Sequence, residues 1–319
     1  MRKWILVLAL SALALIVSAC GTNNSEATEV NAEAKGSSET EEVTVKHDLG
    51  ETTVQKNPEN VVVFDFGTLD TLDKLGVEVA GVPQANIPSY LSKYEADTYE
   101  NAGGLKEPDF EQIAEMNPGL IIISGRQSDA YEELSKIAPT IYMGVDTTDY
   151  IPSFKKNVTT LGEIFGKEAE AEEELAKIDE EISSVQDLTS SLDEKGLITL
   201  VTGGKVSAYG AGSRFGLIHD VLGLPEADAN LEASTHGQSI SFEYIAEKNP
   251  GYLFVVDRDA VVDGGETSAK EVIENELVKN TDAYKNDHIV YLDPNYWYLS
   301  GGGLESVTEM VSEIKKGIE

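Results

Sequence analysis

Short, almost wholly apolar runs punctuate the chain, separated by stretches in which apolar positions recur every three or four residues. The runs Val61–Phe64, Glu78–Val82, Leu120–Ile123, Thr140–Met143, Leu197–Val201, Tyr252–Val256 and Ile289–Leu292 read as buried strands of parallel-sheet type. Helical spacing predicts helices over Thr68–Leu75, Ser128–Ile137, Arg214–Leu222, Ala269–Glu276 and Leu304–Ile314, two of them stopped by Gly76 and Gly223. Ahead of these, Val43–His47 and Thr52–Gln55 alternate around Asp48-Leu49-Gly50-Glu51, a hairpin signal.

One unit is written twice. Phe110-Glu111-Gln112-Ile113-Ala114-Glu115-Met116-Asn117-Pro118-Gly119 recurs as Phe242-Glu243-Tyr244-Ile245-Ala246-Glu247-Lys248-Asn249-Pro250-Gly251. Each copy continues into an apolar strand and reaches an arginine at the same offset, Arg126 and Arg258. The expectation is an α/β fold of two Rossmann-like lobes, 43–152 and 191–319. Between them, 153–190 carries no strand pattern. Phe154, Val158, Leu161 and Phe165, then Ala171, Leu175, Ile178, Ile182 and Val185, hold helical spacing, interrupted only at Gly162 and Gly166. This predicts one long rigid helix joining the lobes, a ligand cleft between them, and little closure on binding.

Residues 1–19 stand apart. Arg2 and Lys3 precede the apolar run Trp4–Val17, as in a signal peptide, and the run is shorter than the roughly 20 residues that a spanning helix needs. Val17-Ser18-Ala19-Cys20 resembles a bacterial lipobox, which implies a lipid on Cys20, the only cysteine. The rest of 20–42 is polar and small and reads as a flexible tether, with a reach of roughly 25 Å.

The formal charge of −33, from 57 acids against 24 bases, argues against nucleic acid and against a basic membrane-binding face. There is no Gly-x-Ser-x-Gly elbow. Gly203-Gly204-Lys205-Val206 lacks P-loop spacing, and Gly210-Ala211-Gly212-Ser213-Arg214-Phe215-Gly216 departs from the dinucleotide fingerprint. His47, His219, His236 and His288 are scattered, without metal-ligand spacing. The chain is therefore read as a non-enzyme, with no cofactor and no metal held directly.

The arginines carry more. Arg126 and Arg258 follow strands, Arg214 opens a helix beside a glycine-rich turn, and in open α/β sheets ligands collect at the carboxyl ends of strands. Guanidinium forks suit catecholate, carboxylate and phosphate oxygens. Asn295-Tyr296-Trp297-Tyr298, ahead of Ser300-Gly301-Gly302-Gly303, places aromatic rings before the last helix, where they could stack on a planar ligand or cap the core.

Taken together, the lipobox, the tether, the paired segments and the mid-chain helical region resemble the cluster-III substrate-binding lipoproteins, receptors for iron-siderophore, haem and cobalamin in ABC importers. The resemblance runs over residues 43–319 and, within the family, is nearest to Gram-positive petrobactin-binding lipoproteins. It implies that Glu111 and Glu243 dock on an ABC permease, one from each lobe. It also implies that Lys106, Arg126, Arg214 and Arg258 face an anionic ferric catecholate, with Trp297, Tyr298 and His236 beside it. The iron would arrive already chelated, and the receptor would be a monomer held by its lipid on the outer face of a Gram-positive cell membrane. The competing readings are the same fold carrying haem, cobalamin or a hydroxamate, with Tyr298 or His236 as axial ligand in the haem case, and an exported siderophore-modifying enzyme.

Overall fold

The computed structural model describes residues 41–262, 264 and 268–319, so the expected signal peptide, Cys20 and nearly all of the expected tether lie outside the described residues. The hairpin comes first: β1 (Glu42–His47) and β2 (Gly50–Gln55) pair antiparallel.

The first lobe contains β3 (Val61–Val63), α1 (Phe66–Lys74), β4 (Gly81–Val82), β5 (Glu100–Asn101), α2 (Phe110–Glu115), β6 (Leu120–Ile123), α3 (Tyr131–Leu134) and β7 (Thr140–Tyr142). Its five strands run parallel in the order β5-β4-β3-β6-β7. The central strands β3 and β6 are buried along their whole length, which accounts for their unbroken apolar sequence.

Two helices follow, α4 (Tyr150–Phe165) and α5 (Glu168–Thr189). The single long helix expected over 153–190 is therefore a helix pair. Gly166 takes a left-handed φ of 61° and caps α4, and Lys167 leaves helical geometry before α5 begins. The apolar stripes of both helices are buried, Phe154 and Val158 from α4 beside Ile178, Ile182 and Val185 from α5. Further along α4, Leu161, Ile164 and Phe165 pack into the core of the first lobe.

The second lobe contains β8 (Gly196–Thr202), β9 (Lys205–Tyr209), α6 (Leu217–Asp220), β10 (Gln238–Ile240), α7 (Phe242–Lys248), β11 (Tyr252–Asp257), α8 (Asp259–Val262), α9 (Ala269–Ile273), α10 (Asp282–Lys285), β12 (Ile289–Leu292) and α11 (Leu304–Ile318). The order is β10-β9-β8-β11-β12. β8, β11 and β12 are parallel, whereas β9 runs against both β8 and β10. The strands of the duplicated unit, β6 and β11, occupy the same place in their sheets.

The antiparallel pairs were not foreseen. Gly203 and Gly204, tested above as a phosphate loop, form the two-residue tip of the β8–β9 hairpin, with φ of 55° and 70°. Positive φ at both central residues is the requirement of a type I′ turn. The duplicated Asn-Pro stops also have a local cause. Asn117 and Asn249 both turn left-handed, at φ 48° and 41°, and the proline that follows cannot continue a helix.

Candidate functional site

Arg126 lies in the turn after β6, and Arg258 directly follows β11. Both reach the same residue. Arg126 Nη2 donates to the main-chain oxygen of Tyr298 at 2.8 Å, and Nη1 to that of Leu299 at 3.3 Å. Arg258 Nε donates to the Tyr298 phenol oxygen at 3.0 Å. Arg214 also donates to the Tyr298 main-chain oxygen, and its guanidinium stacks 4.2 Å from the centre of the Tyr298 ring.

Tyr298 belongs to a π-helical turn, Asn295–Ser300, that ends at Gly301 with φ 52°. Irregular helical turns of this kind recur at functional sites because they redirect main-chain groups away from a helix ladder. Burial alone would raise the Tyr298 phenol. The Arg258 hydrogen bond and the charges of Arg214, Arg258 and Arg126 outweigh burial and bring it below the ordinary tyrosine value. Burial lowers the Arg214 guanidinium, and the nearby Arg126 adds to that effect.

The strand-end reasoning holds for Arg126 and Arg258 but not for Arg214. Because β9 runs against β8, pairing Tyr209 with Ile198, its carboxyl end lies away from the edge where β8 and β11 finish. Arg214 follows that end and still arrives at Tyr298. Arg258 also has an acid beside it, Nη1 donating to Thr202 Oγ1 at 3.2 Å and to Asp259 Oδ1 at 3.3 Å. Asp259 accepts from the Thr202 hydroxyl at 2.9 Å as well, which ties the arginine to the hairpin tip.

A cleft of about 350 Å³ opens at this point, at the small end of the range for small-molecule sites. The first lobe lines it with Asn86, Gly104, Leu105, Lys106, Glu107 and Arg126, the second with Arg258 and Val262, and the turn before α11 with Tyr298 and Leu299. Lys106 is exposed at its rim. The loop that carries Lys106 is held by the buried Gln127, whose side-chain amide donates to the Leu105 oxygen at 2.5 Å.

Three expected residues lie outside the cleft lining: Arg214, which stands behind Tyr298, and, farther from it, Trp297 and His236. Trp297 is 2 % exposed and does not line the cleft. The helical turn that points Tyr298 at the arginines points Trp297 into the core, where its indole N–H donates to Glu313 Oε2 of α11 at 2.7 Å. Its ring meets Phe215 edge-on, with centres 6.4 Å apart. The core-capping alternative is thus the correct one for Trp297. His236 is exposed, in the loop before β10 and outside the cleft lining, and its main-chain oxygen accepts from the Tyr209 hydroxyl at 2.9 Å. Sequence reasoning in turn missed Asn86, Leu105, Glu107, Val262 and Leu299, none of which carries a motif.

Glu111 and Glu243 occupy matched positions in the first turns of α2 and α7, and both are exposed. The caps are local: the Asp109 carboxylate accepts from the N–H of Glu111 and Gln112, and the Ser241 hydroxyl accepts from that of Tyr244. Hydrogen bonds from its own N–H and from Ser241 lower the Glu243 carboxyl. Among the described residues, no group of three or more His, Cys, Asp or Glu side chains is placed to hold a metal ion. Among the same residues, no helix is long and apolar enough to cross a membrane.

Residues 61–296 match the family model described as periplasmic binding protein. The petrobactin-binding protein YclQ of Bacillus subtilis is 52% identical over 325 residues, covering 100% of both chains. The ferric-anguibactin-binding protein FatB of Vibrio anguillarum is 34% identical, over 87% of this chain and 88% of its own. The crystal structure of YclQ superposes with a TM-score of 0.85 at 56% identity, over 88% of this chain and 99% of that one. The catecholate-siderophore binding protein VctP of Vibrio cholerae superposes with a TM-score of 0.83 at 41% identity, over 86% of this chain and 100% of that one.

Proposed function

The chain belongs to the periplasmic binding protein family, and on that premise we propose that it is a lipid-anchored receptor which binds an anionic ferric catecholate, ferric petrobactin, outside the cell membrane and delivers it to an ABC permease. The observation that carries this reading is the meeting of Arg126, Arg214 and Arg258 on Tyr298 beside the cleft. In a chain of net charge −33, three clustered guanidiniums make a local field suited to an anionic, oxygen-rich guest. The likeness to YclQ supports petrobactin as that guest.

The roles divide by residue. Arg126, Arg214 and Arg258 neutralise the complex, Lys106 adds charge at the rim, and the Tyr298 ring offers an aromatic face. His236, exposed in the loop before β10 and outside the cleft lining, is given no contact with the cargo. The iron stays within its chelator throughout, and no covalent step is assigned to the protein. Glu111 and Glu243 present one carboxylate from each lobe to the permease. Cys20 carries the lipid, and the polar segment after it lets the body stand off the outer face of the membrane as a monomer.

Titration of the purified protein with ferric petrobactin, a ferric hydroxamate, haem and cobalamin tests the cargo. Quenching of Trp297 fluorescence supplies the signal, because that indole is buried one residue from Tyr298. Saturable binding of ferric petrobactin in preference to the others is expected. Preference for any other member of the panel would overturn the cargo, and conversion of bound petrobactin to a new product would overturn the non-catalytic reading.

A further inference from the structure

Asp70 lines no part of the cleft, yet its carboxylate is 1 % exposed and fully engaged. It stands on α1 of the first lobe and accepts from the main-chain N–H of Glu305 at 3.1 Å and of Ser306 at 3.0 Å. The Tyr90 hydroxyl donates to it at 3.0 Å. Helix starts leave several N–H groups without an intrahelical acceptor. At the start of α11 the capping residue is Gly303, which has no side chain to offer, so the acceptor comes from α1 instead.

The approach is close. A Cβ on Gly303 would lie 2.0 Å from the Asp70 carboxylate and 2.2 Å from the Gly67 oxygen. The Leu304 N–H donates to Thr71 Oγ1 at 3.2 Å, completing a cradle of Gly67, Asp70 and Thr71 under the amino end of α11. Only Gly301 and Gly302 separate this cradle from the turn that carries Tyr298. Tyr90 reaches that turn too, with its hydroxyl 2.7 Å from Ser300 Oγ and its ring centre 4.7 Å from that of Tyr296.

We infer that Asp70 is a positioning residue for the cargo cleft: through the amino end of α11 and through Tyr90 it sets where Tyr298 stands among Arg126, Arg214 and Arg258. The inference rests on the reading of that cleft as the cargo site.

Burial pushes the Asp70 carboxyl up to about 7, against the pull of its hydrogen bonds from Ser306, Glu305 and Tyr90. The other titratable groups around it are Tyr90, Tyr150 from α4, Tyr296 from the 295–300 turn, Asp65 at the start of α1, and Glu305 on α11, which pairs with Lys74 at 3.2 Å. β3, which packs against α1, contains only valines and adds no titratable group. Burial raises all three tyrosines, so none of them loses a proton near neutrality. Opening of residues 298–306 would rehydrate Asp70 and return its carboxyl toward the ordinary value. The hold is therefore complete in acid and weakens as pH rises through about 7.

Amide exchange in the cargo-free full chain at pH 6 and pH 8, corrected for intrinsic rates, tests this directly. Protection over residues 298–306 should fall by about tenfold between the two, the effect of one ionisation followed over roughly one effective pH unit. Asp70→Asn should show less than about a twofold change across that range. Dissociation constants for ferric petrobactin, taken as the ratio of variant to wild type at each pH, cancel the protonation of the cargo and should shift with the exchange data. Equal wild-type protection at both pH values would overturn the proposal, as would an unchanged slope in Asp70→Asn. Tyr90→Phe, which keeps the carboxylate, guards against a misfolded Asn variant and should weaken cargo binding several-fold while leaving the pH slope in place. Unaltered affinity in Tyr90→Phe would remove the Tyr90 arm. Failure of the wild type to bind ferric petrobactin at either pH would count against the cargo reading, and the exchange data would still decide the role of Asp70.

Discussion

Arg258 Nε donates to the Tyr298 phenol oxygen at 3.0 Å, so a cleft guanidinium is already engaged with an aromatic oxygen supplied by the protein. The partner is of the same chemical kind as a catecholate oxygen. A guest that meets Arg258 competes with Tyr298 for the donor, whereas Arg126 and Arg214 are anchored on the main-chain oxygen of the same residue. The three arginines are thus held in place before any guest arrives, which limits the side-chain entropy lost on binding.

Replacing these arginines one at a time should weaken ferric petrobactin in every case. A charge-assisted hydrogen bond contributes about 1.5–3 kcal/mol, so each alanine variant should raise Kd by roughly 10- to 150-fold. Calorimetric titration measures this. Wild-type affinity in all three variants would remove the cleft from consideration.

The phenol of Tyr298 should ionise at lower pH than an ordinary tyrosine, because the surrounding guanidiniums outweigh the effect of burial. Ultraviolet absorbance of tyrosinate during an alkaline titration should show one early step that is missing in Tyr298→Phe. The same variant leaves Arg258 without its phenol acceptor, so its cargo affinity should change less than that of Arg258→Ala.

Much of this arrangement was legible in the sequence, and the duplicated unit explains why. β6 and β11 are buried on both faces, so their apolar runs stand out, and the asparagines and prolines after α2 and α7 mark helix ends by their own backbone preferences. Other parts were hidden for physical reasons. β9 and β10 are short and partly exposed, and the Gly203-Gly204 tip that turns β8 into β9 showed in the sequence only as a glycine pair without P-loop spacing. Gly166 looked tolerable within a helix and instead takes positive φ and ends one. Trp297 and Tyr298 are neighbours with opposite fates, which composition cannot distinguish. Asn86 enters the cleft through tertiary contact alone.

Glu111→Ala and Glu243→Ala should leave cargo affinity and melting temperature unchanged, since both side chains are exposed at helix starts that are capped by Asp109 and Ser241. Each should lower iron uptake in cells, and the double variant should abolish it. Normal uptake by the double variant would mean that the permease recognises another surface.

The Asn86 side chain crosses the mouth of the cleft, donating to the main-chain oxygens of Val261 at 2.9 Å and Val262 at 3.3 Å at the end of α8. Val261 packs against the core of the first lobe at the same place, so a short helix of one lobe is fastened to the other beside the opening. Asn86 has a positive φ of 59°, and Asn86→Gly therefore removes the amide without straining the backbone. Losing hydrogen bonds that contribute about 0.5–1.5 kcal/mol should speed cargo dissociation by roughly 2- to 12-fold. Association should change less, because mutational effects on binding fall mainly on the off-rate. Stopped-flow displacement of bound ferric petrobactin measures both rates, and an unchanged off-rate would mean that this contact does not restrain the cleft.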